Sequence, residues 1–369
     1  MAKKRKNLGK VKRYRHSFHT SKAIVLNVVL WIVIVVGVGA GGYFVAPAII
    51  DFGTSTWYAL TDGIGSFGAS SAASEPEPTA SATPEPTPMP TEVAKAGVVD
   101  GTWADVSLSA LTSAELIDQT TSALAAQGVT YVVVPLKDTS GYIHYASSVD
   151  KAAGSIASNC VDAEAIATAI TEAGMIPVAS LVAFQDALSV YQDREMGIRY
   201  QESDYMWLDN TADAGGKAWM NPYSDLAVSF IGDLVEEVAQ LGYTQVVLSQ
   251  VQFPAQVSSS QNFGSIGSAT RADALRSAIA TWDARFADQD MILWYEYDYE
   301  TCVTVSNITG ELPSSLGIAN ALINLPLATD ENPDPDTSAL AEIVSAWQAG
   351  GSEYIVVAEN GTADFYEKK

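Results

Sequence analysis

The sequence predicts an α/β protein, a (β/α)8 TIM-type barrel preceded by one transmembrane helix and a disordered stalk. Three observations predict it. From residue 98 onward, short apolar runs of β type alternate with amphipathic helical patterns, the rhythm of parallel strands with helices outside. Residues 98–369 have about the ~250-residue length of one such barrel. Ahead of them, Ala23 to Ile50 carries no charged side chain and exceeds the roughly 20 apolar residues that cross a bilayer.

The N-terminal elements come first. Nine of the 20 basic residues lie in residues 1–22, which hold no acid. A basic block beside an apolar span places the tail in the cytoplasm and the rest of the chain outside. A cleaved signal peptide is the alternative, though its apolar core would be only about 7–15 residues long. Residues 51–97 form a juxtamembrane segment and a Pro/Thr/Glu/Ser-rich linker, with prolines at 76, 78, 84, 86, 88 and 90. Such spacing favours extended polyproline II, a stalk that holds the folded domain off the membrane. The lipid bilayer is thus one expected partner, through residues 23–50. Beyond residue 22 the chain holds 11 basic and 43 acidic residues, an acidic body that repels phosphate backbones, so no nucleic-acid partner is expected.

Strands are expected at 130–135, 176–184, 245–251, 291–295, 318–325 and 354–358, with a weaker one at 98–106. Helical spacing covers 113–126, 162–173, 225–241, 272–287 and 338–348, and several of these segments run into glycine (Gly128, Gly174, Gly242, Gly350). An open doubly wound sheet is the alternative arrangement. Cys160 and Cys302 are either one disulfide or two small buried side chains. Neither has close Cys or His neighbours, and His144 is the one histidine beyond the tail, so no metal site is expected. No phosphate loop, serine elbow or metalloprotease helix is present, and no cofactor is expected.

In barrels the chemistry sits at the C-terminal ends of strands. Those places hold Lys137 and Asp138 after the second strand, then Phe184 and Asp186 after the third. A long loop follows with Trp207, Trp219, Asn221 and Tyr223. Gln252 follows the fourth strand, and the fifth runs into Tyr295, Glu296 and Asp298. Aromatic rings beside carboxylates and amides fit a carbohydrate site, rings covering sugar faces and polar groups holding hydroxyls. Each also has a plainer role. Glu296, Asp298 and Glu300 can be solvated loop charges, Lys137 can pair with Asp138, Asp186 can cap a helix, and Trp219 and Tyr223 can be packing.

At these residues the chain resembles a bacterial family of glycoside hydrolases of TIM-barrel type, known mainly by sequence. The resemblance runs from about Gly128 to Pro254. It rests on Lys137-Asp138 with Gly141, on Phe184 with Asp186, on Trp219 with Asn221-Pro222-Tyr223, and on the segment Gly242 to Pro254. The chain departs from the family pattern at four strand ends. Pro135 and Ser249 stand where the family has Asp, and Ser180 and Gln252 where it has Arg. Two acids and two bases are lost together, as when a paired network disappears. A glycosidase needs two carboxyl groups across the scissile bond, and Ser249 occupies the position of the natural nucleophile. The resemblance therefore implies a barrel that binds or acts on cell-envelope or extracellular glycan, with reduced or lost catalysis. The alternative is an active hydrolase using Glu296 with Asp298, Asp138 or Asp186. Substrate contacts are expected from Lys137, Asp186, Trp207, Trp219, Asn221, Tyr223, Gln252 and Tyr295.

The orientation is directly testable. Protease added to spheroplasts should remove the C-terminal domain and spare the basic tail. Protection of the domain would refute the topology, and a mature chain starting near residue 42 or 49 would identify a cleaved signal instead.

Overall fold

The computed structural model describes residues 97–329, 332–359 and 362–367. The tail, the apolar segment 23–50 and the Pro-rich stretch lie outside the described residues. Among the described residues no helix is long and apolar enough to cross a membrane.

Among the described residues ten strands occur in chain order: β1 (Thr102–Asp105), β2 (Val129–Lys137), β3 (Ile176–Val182), β4 (Arg199–Tyr200), β5 (Gln245–Ser249), β6 (Gln261–Asn262), β7 (Ile292–Asp298), β8 (Asn320–Asn324), β9 (Tyr354–Glu359) and β10 (Thr362–Glu367). The helices are α1 (Ala114–Ala126), α2 (Ala163–Glu172), α3 (Ser189–Gln192), α4 (Asp225–Gln240), α5 (Arg271–Phe286), α6 (Tyr299–Val303) and α7 (Leu340–Gly350). Local chemistry sets the helix starts. Ser113 accepts from Leu116 N, Asp162 accepts from Ala165 N, and Thr270 and Asp273 form a reciprocal capping box.

One eight-stranded sheet runs in the order β1-β2-β3-β5-β7-β8-β9-β10. Every neighbouring pair from β1 to β9 is parallel, while β10 folds back antiparallel on β9. The sheet curls until β10 comes within 8 Å of β1, measured between Cα atoms. The result is barrel-like, with one departure from the expected eight parallel strands. Only two residues, 360 and 361, separate β9 from β10, too few for the crossover that a parallel partner requires. The small β4 and β6 pair by themselves in the long loops.

Alternation along the strands divides the apolar residues into two cores. Leu293, Tyr295 and Tyr297 of β7 point outward, as do Val132, Val134 and Leu136 of β2, and they pack in a large cluster with helix residues such as Phe230, Leu234, Leu275 and Trp282. The opposite face fills the interior with Trp103, Tyr131, Val133, Val178, Val247, Trp294, Leu322 and Val356. Trp103 stacks on Tyr131 at 4.4 Å and meets Trp294 edge-on at 5.2 Å. Trp294 donates its indole N–H to Gln245 Oε1 at 2.8 Å. This packed floor closes the barrel below its C-terminal mouth.

At that mouth, Lys137 and Asp186 form an ion pair at 2.9 Å with both side chains fully buried. Lys137 also donates to the carbonyl of Val182 at 2.7 Å. Asp186 accepts from the amides of Leu188 and Ser189 and from the Ser189 hydroxyl. Gly141 has φ +94, and a Cβ there would lie 2.3 Å from Asp186 Oδ1, so only glycine fits. Asp186→Ala should destabilise the domain by about 3–5 kcal/mol, because Lys137 is left charged and unpaired. Urea denaturation measures this. The double variant Lys137→Met/Asp186→Asn should lose clearly less than the sum of the two single losses.

Candidate active site

The mouth of the barrel holds a cavity of about 170 Å³. Its lining comes from seven strands: Trp103 and Asp105 of β1, Ser180 of β3, Glu296 of β7, Asn324 of β8 and Ala358 of β9, with apolar side chains including Val133 of β2 and Val247 of β5. Parity puts them there. Glu296 follows Trp294 by two residues on the inward face, and Asp105 follows Trp103 in the same way. Larger hollows of about 670 and 380 Å³ lie among the outer helices, between α1 and α2 and between α4 and α5. They share no residue with the strand-end cavity.

Glu296 is half-buried and its Oε1 accepts from the Asn324 side-chain amide. Burial pushes its carboxyl up to about 7, against the lowering effect of Asn324, and the nearby charges of Asp105 and Asp298 add to the rise. The group is thus poised to hold a proton near neutral pH. Asp105 stays exposed at the rim, yet partial desolvation raises its carboxyl above the ordinary range. Asp298 is exposed on the same strand as Glu296, and desolvation followed by the charge of Glu300 raises it as well. Among the described residues no group of His, Cys, Asp and Glu could hold a metal ion. Cys160 and Cys302 are both free thiols, one exposed and one buried, so they do not form a bridge.

Of the expected site residues, Glu296 alone lines this cavity. Lys137 pairs with Asp186 rather than with Asp138, and both are sealed in the scaffold and closed to substrate. Asp138 caps its own turn, accepting from the amides of Ser140 and Tyr142, and meets His144 Nε2 at 3.1 Å. Trp207 and Trp219 are 3% and 5% exposed. They pack with Ile198 in a small core of the long loop, and Trp219 donates to Asp209. Neither indole has a face free for a sugar. Asn221 is buried, donating to the Phe263 carbonyl and accepting from Tyr223 N. Tyr223 packs against Phe253 and Phe263. Gln252 donates to Gln250. Tyr295 points outward and donates to Asp283 at 2.7 Å. Its position directly before Glu296 makes that orientation a consequence of strand alternation.

Sequence reasoning missed Asp105 and Asn324. The signal for Asp105 was an acid ending the weakest of the strand runs, two residues beyond a tryptophan. Asn324 ends β8 in the same register sense.

Glu296 carries a pH signature. Its native carboxyl stays protonated to about 7, whereas the unfolded chain releases the proton near the ordinary 4.5. Between those values the native state holds more protons, so stability falls as pH rises from about 4.5 to about 7. Glu296→Gln should remove this loss. Thermal denaturation at pH 4.5 and pH 8 should show the variant gaining on the wild type at the higher pH.

Among curated proteins none matches the chain. Among the solved structures that resemble it are the following three. A hypothetical protein from Ruminiclostridium thermocellum has 16% identity and TM-score 0.46, covering 52% of this chain and 96% of its own. An alpha-galactosidase from Thermus thermophilus has 14% identity and TM-score 0.41, covering 63% of this chain and 44% of its own. A family 20 beta-N-acetylhexosaminidase from Streptomyces coelicolor has 12% identity and TM-score 0.42, covering 69% and 47%. The chain thus spans less than half the length of either enzyme. Residues 105–294 match the family described as "Putative glycosyl hydrolase domain". That match takes in more than half of the 369 residues, from Asp105 at the cavity rim to Trp294 on its floor, and the chain belongs to this glycosyl hydrolase domain family.

Proposed function

We propose that this protein is a membrane-anchored, extracytoplasmic barrel that takes the end of an envelope or extracellular glycan into its strand-end cavity and hydrolyses it slowly. Glu296 carries the reading. It is a carboxyl group held in a cavity at the C-terminal ends of barrel strands, and it keeps its proton near neutral pH. This is the state a general acid needs to protonate a glycosidic oxygen. The (β/α) framework is the usual platform for such chemistry, a closed TIM-type barrel being the parent form from which the antiparallel β10 departs.

Slow turnover follows from what surrounds Glu296. Ser249 ends β5 and Ser180 lines the cavity, at positions where the family resemblance implies Asp and Arg. The cavity is smaller than the roughly 300–1,000 Å³ of pockets that enclose drug-sized ligands, so only the reacting end of a chain enters. Anchoring is supported by the uncharged segment 23–50 behind its basic flank, and the Pro-rich stretch beyond it supplies reach into the envelope.

The full-length chain, purified in detergent, should bind envelope or extracellular glycans on an array and release at most traces of sugar from them. Glu296→Gln should abolish the traces while binding persists. Ser249→Asp should not raise turnover, because the basic partners lost at Ser180 and Gln252 would still be missing. Failure to bind any glycan would refute the carbohydrate reading, and rapid polymer hydrolysis would refute the slow-turnover part.

A further inference from the structure

The chemistry proposed above needs a second carboxyl group, and none of the acids read from the sequence supplies it. Asp186 is locked to Lys137, Asp138 is spent on its own turn, and Asp298 shares a strand with Glu296. A residue on the same strand stands on the same side of a bound sugar. The partner must come from the opposite wall.

The sheet order identifies that wall. β1 is the first and β7 the fifth of eight strands in a sheet whose two ends come together, so the two lie half a turn apart. The indoles of Trp103 and Trp294 bridge the interior, with ring centroids 5.2 Å apart. One register step above these rings stand Asp105 and Glu296, on opposite sides of the same cavity. Trp103 is 5% exposed, and its indole N–H has no hydrogen-bond acceptor in the protein although the ring lines the cavity. A buried donor without a partner is costly, and a sugar hydroxyl is an acceptor of the right kind.

Resting on the glycan reading, we propose that Asp105 is the second catalytic carboxylate, acting across the cavity from Glu296 to hydrolyse a terminal glycosidic bond with inversion. Glu296 gives its proton to the glycosidic oxygen as the bond from that oxygen to the anomeric carbon breaks. Asp105 takes a proton from a water whose oxygen forms the new bond to that carbon from the opposite side. The products are a free alcohol and a hemiacetal of inverted configuration, and exchange with solvent returns the proton to Glu296 and removes it from Asp105. The asymmetry fits these roles. Asp105 is open to water at the rim, whereas Glu296 is half-buried beside Asn324. Inverting pairs stand roughly 6.5–9.5 Å apart to admit the water, as groups on facing strands can.

The test uses the purified full-length chain, a panel of p-nitrophenyl pyranosides and the matching disaccharides. Asp105→Asn should lower kcat at least 100-fold on both substrate types with KM changed less than about threefold. Glu296→Gln should cost far more on disaccharides than on p-nitrophenyl glycosides, whose leaving group needs little protonation. Glu300→Gln, an exposed change nearby, should leave kcat within threefold. Proton NMR of the first product should show the inverted anomer. Carbon-13 NMR should show the Glu296 carboxyl titrating lower in Asp105→Asn than in the wild type, which tests the facing arrangement without any substrate. An unmoved Glu296 titration would overturn the pairing. An unchanged kcat in Asp105→Asn, a retained anomer, or a wild type that turns over none of the glycosides would overturn the catalytic role. Failure of the glycan reading is distinguished by loss of array binding.

Discussion

Lys137 and Asp186 meet at the C-terminal ends of adjacent strands, with no solvent reaching either side chain. Two charges survive there because each is also satisfied by neutral groups, the Val182 carbonyl on one side and the Leu188 and Ser189 amides on the other. That closure dictates much around it. Gly141 must lack a side chain to pass Asp186, and the Asp186 carboxylate accepts the amide of Ser189, the first residue of α3. Phe184, two residues earlier, accepts the Met220 amide and so fixes the tryptophan-bearing loop. The motifs that carry the family resemblance are therefore joints of one scaffold. Their survival says that the mouth of the barrel is preserved as a shape.

The chemistry of that mouth is set by a different contrast. The interior below it is packed with aromatic rings and leaves a small cavity above them. The few polar groups that enter it do so at strand ends where alternation turns them inward. Low polarity around Glu296 raises its affinity for a proton, and the acids on β1 and further along β7 reinforce the effect. Among the described residues lining the cavity none is basic, so no cation there favours an ionised Glu296.

The long loop between β3 and β5 shows why aromatic residues mislead a reader of sequence. Trp207 and Trp219 sit in the loop that a sugar site would use, each two residues before a polar side chain, Asp209 and Asn221. A loop of this length must also bury something of its own to hold a shape. Ile198, Trp207 and Trp219 are that core, and Asn221 and Asp209 serve as its internal hydrogen-bond partners. Composition is the same for either use, and only the direction of each ring separates them.

Periodicity and punctuation in the sequence determined seven of the strands and the main helices with their glycine ends, because alternation, 3.6-residue spacing and Gly128, Gly174 and Gly242 act within a few residues of one another. They placed Glu296 at the end of the fifth strand as well, while its inward direction came only with the fold. Tertiary structure alone decided which acids share a cavity. Asp105 and Glu296 are 191 positions apart and are brought opposite one another only by the curl of an eight-stranded sheet, while Asp186, one strand away from Lys137, is withdrawn from solvent by it. No local signal encodes either outcome, since the partner of a charge in a barrel is chosen by strand order and stagger and by what fills the interior beneath it.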